Sequence, residues 1–295
     1  MILALDVDGT LFDGIGVDVG AVRAIEQAYD EGHTVVIVTG RPWRDLATII
    51  GEILPFASVA VCEDGAVVVD CLTGAKRLLA DPPPPELVQT LHDLGVTGVV
   101  AGDVAIGMPV LYDVVAKVAV ARFPGLHLVH NKNSVAIVPN GCDKGTGLRE
   151  AIADFGLADE QILAIGDASN DLPMFRIADV AVGVANADDA VRASGVALAS
   201  ASVGAGVAEA IATHIFGNDA RAPGASPEPG DGRSPTSRLR RPHTDDGLSV
   251  EQANVVGAGP AAHPGQDYVI GDAVDGVHHD AGGRVGLETD QYTQQ

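Results

Sequence analysis

Two aspartates, Asp6 and Asp8, stand at alternate positions just after a short apolar run, Ile2 to Leu5, and Gly9 and Thr10 follow them. Side chains of a strand alternate faces, so a strand reaching this far puts both carboxylates on one side. Two acids there are costly to bury unless they hold a cation or take part in chemistry. A solvated strand end closed by an Asp-Gly turn is the plain alternative, and these residues alone leave both open. Three later segments bring polar groups to comparable places. Thr39, Gly40 and Arg41 follow the apolar run 33–38; Asp143, Lys144, Gly145 and Thr146 open an amphipathic pattern; Gly166, Asp167, Asn170 and Asp171 follow the apolar run 162–165.

If those runs are parallel strands, their carboxyl ends share one edge, where open α/β sheets bind ligands. Carboxylates, a lysine and a hydroxyl on that edge suit a magnesium-and-phosphate site. Hard oxygen ligands fit Mg²⁺, Lys144 is a point positive charge, and the Thr39 hydroxyl with nearby N–H groups can hold phosphoryl oxygens. Each residue also has an ordinary reading. Thr39 can be a strand-end hydroxyl, Asp171 a helix cap, and Arg41 either a substrate contact or half of a surface salt bridge. A solvated Lys144 fits less well, because a cation at a helix start opposes the helix dipole. Asp13 and Asp18 read as turn and cap. His130, Lys132 and Asn133 lie near a turn, where they face a substrate or merely form a hairpin tip. His214 reads as structural.

The elements that must position these groups alternate. A helix capped by Asp18 carries Val22, Ile25 and Ala28; a strand over 33–38 precedes a helix with Leu46, Ile49, Ile50 and Ile53; strands over 58–62 and 66–69 flank the turn Glu63-Asp64-Gly65. This rhythm predicts a doubly wound parallel sheet. It breaks at the four prolines 82–85, which favour a stiff, extended connection. Beyond them the pattern predicts a helix over 86–94, one strand around 96–106, a helix around 110–122, and short strands at 126–130 and 134–138. The sheet pattern then resumes, with a strand at 180–184, a helix capped at Asp188 or Asp189, and a last helix over 207–216. The expected organisation is an α/β core in two halves, 1–80 and 139–216, around an inserted α+β layer at 81–138. From 217 to 295 Pro, Gly, Asp and Ser crowd out periodic apolar residues, which reads as a disordered tail. Its Gly-Ala-Gly stretch at 257–259 has no convincing strand before it and no helix after it, so it is not read as a nucleotide fingerprint. The 141–146 segment is not a Walker loop, because Lys144 is not followed directly by Ser or Thr.

The formal net charge is −22, from 40 Asp+Glu against 18 Lys+Arg. Such a surface repels nucleic acid and anionic membranes, so an anionic substrate needs a local positive site. Cys62, Cys71 and Cys142 have no metal-site spacing and read as reduced thiols. Met1 runs straight into a strand and no apolar run is long enough to span a bilayer, so a cytoplasmic location is expected. Oligomeric state is not readable.

The segments Asp6-Val7-Asp8-Gly9-Thr10, Thr39-Gly40-Arg41, Lys144-Gly145 and Gly166-Asp167-Ala168-Ser169-Asn170-Asp171 resemble, in order, the four motifs of the haloacid dehalogenase superfamily. An insertion between the second motif and the lysine resembles the type IIB cap of its Cof-like phosphatases, and the small cap resembles those of archaeal-type phosphoglycolate phosphatases and sucrose-phosphatase-like hydrolases. Glu63-Asp64-Gly65-Ala66 resembles that group's Glu-Asn-Gly-Ala, with Asp in place of Asn. The resemblance implies Asp6 as the nucleophile that forms an aspartyl-phosphate and Asp8 as the acid/base. It implies Mg²⁺ held by Asp6, the Asp8 carbonyl and Asp167, with Asp171 as ligand or support. It also implies phosphate contacts from Thr39, Gly40, Lys144 and Asn170, and a small phosphomonoester as substrate. Two alternatives remain: a phosphomutase or phosphotransferase, and a non-catalytic regulatory protein that works through its tail.

Overall fold

The computed structural model describes residues 1–217. The tail from 218 onward, with the stretch at 257–259, lies outside the described residues. Eight strands form one sheet in the order β12-β11-β10-β1-β2-β3-β4-β5. In chain order these are β1 (Ile2–Leu5), β2 (Thr34–Val38), β3 (Ala57–Cys62), β4 (Val67–Asp70), β5 (Lys76–Leu78), β10 (Ile162–Gly166), β11 (Val180–Gly183) and β12 (Ala197–Leu198). Strands β1, β2, β3, β10, β11 and β12 pair in parallel. Strand order runs outward in both directions from β1, so the crevice at its carboxyl end is a switch point of the kind that binds ligands. Strands buried on both faces explain the unbroken apolar runs of β1, β2 and β10.

The sheet is not wholly parallel as expected, because β4 and β5 pair antiparallel to their neighbours. Glu63 and Asp64 take left-handed backbone, φ 56° and 51°, which reverses the chain in a turn too short for a parallel crossover. Strands β5 and β12 carry no signal in the sequence, since both are short and exposed.

Helices cover both faces. Asp18 caps α1 (Val19–Asp30) by accepting from the Ala21 N–H, and Ala21, Ile25 and Ala28 face the core. The second helix, α2 (Trp43–Ile49), is shorter than the pattern suggests: Ile50 and Ile53 are buried but lie beyond it, where Pro55 opens a 3₁₀ turn. Asp143 and Thr146 form a reciprocal capping box at the start of α5 (Lys144–Asp154). A single turn forms α6 (Leu172–Phe175), and Asp188 caps α7 (Asp189–Ala193). The last helix, α8 (Val203–His214), starts four residues earlier than its apolar pattern, at Gly204 and Gly206. Glycine is a poor helix former, but a Cβ at Gly204 would collide with Asp18 and Ala21 of the α1 region, so close helix approach requires it.

Residues between β5 and α5 form a second sheet, all antiparallel, in the order β6-β7-β9-β8. The single strand expected over 96–106 is instead a hairpin of β6 (Val100–Ala101) and β7 (Ile106–Pro109). Gly102 turns the chain and donates to the Ala105 carbonyl at 2.8 Å. With β8 (Leu126–Asn131) and β9 (Ser134–Pro139) the layer has four strands, one more than expected. Its two helices are α3 (Pro85–Asp93) and α4 (Asp113–Val120), the latter preceded by a 3₁₀ turn. Leu87, Leu91, Ile106, Ala116, Val135 and Ile137 make its own core. Among the described residues no helix is long and apolar enough to cross a membrane.

Candidate active site

The carboxyl edge of the large sheet gathers the four predicted segments. The Asp6 N–H donates to the Ile165 carbonyl at 3.0 Å, which extends β1 alongside β10 and puts Asp6 beside the 166–171 turn. Lys144, at the first turn of α5, is fully buried and donates to Asp6 Oδ1 and Asp171 Oδ1, both at 2.6 Å. Asp171 Oδ2 accepts the N–H groups of Asp167 at 2.8 Å and Ala168 at 2.9 Å, so Asp171 holds both the lysine and the turn. Asp167 accepts from the Thr10 hydroxyl at 3.3 Å and the Asn186 amide at 3.3 Å, and also from Lys132.

Asp6, Asp167 and Asp171 each offer an oxygen within 4.8 Å of the others. Asp6 Oδ2 is buried and has no hydrogen-bond partner among the described residues. A buried, unpaired carboxylate oxygen is costly unless something occupies it. Three hard oxygens with one unsatisfied fit a divalent cation such as Mg²⁺. Both oxygens of Asp167 and both of Asp171 already accept hydrogen bonds, so Asp6 supplies the one unsatisfied oxygen of the three residues. Burial, reinforced by the charge of Asp171, pushes the Asp6 carboxyl well above its ordinary range, and Lys144 offsets part of this. Burial also raises Asp167. For Lys144, burial disfavours the ammonium, but Asp171 and Asp6 outweigh it and hold the lysine charged.

Asp8 lies apart from this triad, in a cavity wall. Both its oxygens accept from Arg41, from Nε at 2.7 Å and from the terminal nitrogen at 2.6 Å. Arg41 is therefore half of an ion pair, though inside the cavity and not on the outer surface. Thr39 is fully buried; its hydroxyl accepts the Arg41 N–H at 3.1 Å and its carbonyl accepts the Asp64 N–H at 3.0 Å. Gly40 is packed so closely that a Cβ would come within 2.9 Å of Asp64 Oδ2. Asn170 gives its amide to Asp64 Oδ1 at 3.0 Å, and its own oxygen has no partner among the described residues. Burial raises the Asp64 carboxyl.

Three residues make contacts that a reading of the sequence does not assign to them. Lys132, taken more readily as a hairpin tip, reaches Asp167 and the Asn186 carbonyl from the turn between β8 and β9. Asn186 also donates to the Gly9 carbonyl at 2.7 Å, tying the first motif to the last. Glu63 is buried and accepts the N–H groups of Asp103, Val104 and Ala105 at 2.8, 2.7 and 2.8 Å, which fastens the small sheet to the end of β3. The Glu63-Asp64-Gly65-Ala66 stretch marked Glu63 in the sequence, but nothing there gave it the backbone of the small sheet as partner. Asp13 and Asp18 act as turn and cap, as expected. The thiols play no part: Cys62, Cys71 and Cys142 are free, and burial pushes Cys71 up to about 12.

A cavity of about 670 Å³ opens between this edge and the face of the small sheet that carries no helices. Asp8, Arg41, Asp64, Lys132, Asn133 and Asn186 are among its lining residues, while Asp6, two residues before Asp8, is buried.

Residues 3–97 and 126–211 match the model of a family described as haloacid dehalogenase-like hydrolase. A phosphoglycolate phosphatase of Nitrosopumilus maritimus is 26% identical over 223 residues, covering 70% of this chain and 93% of the relative. One from Methanosarcina acetivorans is 37% identical over 86 residues, 29% of this chain and 38% of the relative. Among solved structures, protein 0175 of Thermoplasma acidophilum superposes with a TM-score of 0.60 at 23% identity, covering 73% of this chain and 97% of that one. The subclass IIB sugar phosphatase BT4131 superposes with a TM-score of 0.59 at 18% identity, covering 73% and 98%. Both structural likenesses concern the fold.

Proposed function

We propose that this chain, which belongs to the haloacid dehalogenase-like hydrolase family, is a magnesium-dependent phosphomonoesterase acting on a small phosphorylated metabolite. The observation that carries the reading is the buried Asp6, whose Oδ1 is fixed by Lys144 while its Oδ2 is left unpartnered beside Asp167. In this reading one carboxylate oxygen of Asp6 attacks phosphorus, the ester P–O bond breaks, and an aspartyl-phosphate forms. Asp8 gives its proton to the departing alkoxide. It then takes a proton from water, whose oxygen attacks the aspartyl-phosphate and releases inorganic phosphate. Arg41 holds both Asp8 oxygens, so it must release one of them for either proton transfer. A bound cation on Asp6 and Asp167, with the Asp8 carbonyl, would neutralise phosphoryl oxygen charge. Lys144 keeps Asp6 oriented, and the Thr39 hydroxyl and the Gly40 N–H are the donors this turn offers to the phosphoryl group. The 85–139 layer acts as a cap that excludes water from the cavity.

The names of the relatives make phosphoglycolate the first substrate to try, with sugar phosphates next. The net charge of −22 disfavours nucleic acid as a partner, and free thiols suit the reducing cytoplasm. A panel of phosphomonoesters with Mg²⁺, read as phosphate release against an Asp6→Asn control, tests the reading. No member releasing phosphate above that control overturns it.

A further inference from the structure

We infer that Asp64 is a hydrogen-bond donor in the phosphate-binding part of the cavity, a carboxylic acid standing where a carboxylate would repel the phosphoryl group. The inference rests on the phosphomonoesterase reading and adds a proton to what that site takes up when an anion binds.

Its donors set Asp64 apart from two other buried acids. Glu63, its neighbour in the chain, accepts the main-chain N–H groups of Asp103, Val104 and Ala105. Asp171 accepts from Lys144 and from the N–H groups of Asp167 and Ala168. Asp64 is only 4% exposed, yet among the described residues its one donor is the Asn170 amide, at 3.0 Å from Oδ1. An ionised carboxylate accepts at about four lone-pair sites and donates nothing, so a carboxylate here is poorly provided for. Asn170 Oδ1 is buried without a partner as well. The pair thus brings together three oxygens whose only donors are the hydrogens of one amide. A proton on Asp64 is the donor they are short of. Burial pushes the Asp64 carboxyl up, which favours the same form. Lys144 of α5 and His127 of β8 favour its charge, and Asp171 of the 166–171 turn opposes it. The cations of the cavity wall are engaged elsewhere, Arg41 with Asp8 and Lys132 with Asp167.

The position of Asp64 shows what the proton serves. The residue lines the cavity, and its Oδ2 lies alongside Gly40, where a Cβ would come within 2.9 Å of it. Asp64 therefore adjoins both Gly40 and Asn170, two of the groups that hold the phosphoryl oxygens in the proposed reaction. A dianion bound by them meets Asp64 directly. A carboxylate repels it at that range, whereas an acid hydrogen gives it one more donor. Anion binding is then linked to pH, and affinity falls as pH rises through the Asp64 ionisation.

The test uses the intact protein with Mg²⁺ and sulfate, a dianion of phosphoryl size that does not itself titrate between about pH 5 and about pH 8. Binding is read from the dependence of Tm on sulfate concentration. Above the Asp64 ionisation the wild-type affinity should fall about tenfold per pH unit more steeply than that of Asp64→Asn, because one proton enters with the anion. Asp64→Asn keeps a donor that needs no proton, so it should hold the low-pH affinity across the range. Asp64→Ala should bind weakly throughout, without the extra slope. The carboxyl carbon NMR resonance that Asp64→Asn deletes gives a second measurement. It should titrate above the ordinary aspartate range, and sulfate should move its midpoint higher. Coincident slopes for the wild type and Asp64→Asn overturn the inference. So does a resonance already ionised at the low end of the range, or a wild type that binds no sulfate there. The hydrolase reading fails separately, through the ester panel, because neither measurement needs turnover.

Discussion

Lys144 and Lys132 both end on carboxylates of the same site, yet one is 0% and the other 32% exposed. The first belongs to the large sheet, the second to the small one. Lys144 is placed by a capped helix and fixed by two buried aspartates, of which Asp171 is fixed in turn by main-chain N–H groups. Lys132 hangs from a hairpin turn and meets one carboxylate and one carbonyl. A buried charge survives only where every partner is supplied, so it cannot move. A half-exposed one keeps water as an alternative partner and can be exchanged. The large sheet thus holds a fixed charge, and the small sheet an exchangeable one. Glu63 is the joint between them, since it belongs to the large sheet but satisfies the backbone of the small one.

The largest test of this contrast is Lys144→Met. It leaves Asp6 and Asp171 buried without a counter-charge, and the expected cost is about 3–5 kcal/mol in urea unfolding. Catalysis should also fall by at least ~10²-fold in kcat, since preorganised charge is lost. A milder loss than that of Lys132→Met would break the comparison. Glu63→Ala should come next, at about 2–4 kcal/mol, because the Val104 and Ala105 N–H groups stay buried without an acceptor. Here the informative measurement is limited proteolysis, with cleavage at the 102–105 turn rising before the large sheet unfolds. Mg²⁺ at a hundred times its Kd should stabilise the protein by about 2.7 kcal/mol. For a domain of this size that is a rise of roughly 5–10 °C in Tm, absent in Asp167→Asn. The smallest effect belongs to Lys132→Met, under about 1 kcal/mol by the same unfolding assay. A clearly larger value would mean that Lys132 is a structural strut and not an exchangeable ion.

The large sheet was legible because its strands are buried on both faces and its helices carry their own start signals. Asp18, Asp143 and Asp188 all cap where the pattern places a helix. The charge of Lys144 at a helix start, unfavourable in isolation, was itself a sign that carboxylates were near. The small sheet was harder to read. It has few residues to bury, leaves Leu111 and Val114 in solvent, and turns at Gly102 inside what looks like one apolar run. Strands β5, β6 and β12 expose their residues, so no alternation marks them.

By itself the sequence determined the strand ends on which Asp6, Asp8, Thr39 and Asp167 to Asp171 stand and the helix start that carries Lys144, because local periodicity and capping decide where strands and helices begin and stop. Tertiary structure alone decided how those groups share their charges. It set Asp8 against Arg41, both Asp171 oxygens against Lys144 and the turn, and Asn170 against Asp64. It also brought Lys132 and Glu63 across from one sheet to the other. The site's pairings join residues as far as 177 positions apart, as in Asn186 with Gly9. No local pattern encodes such a distance, since each contact depends on where the whole sheet edge comes to rest.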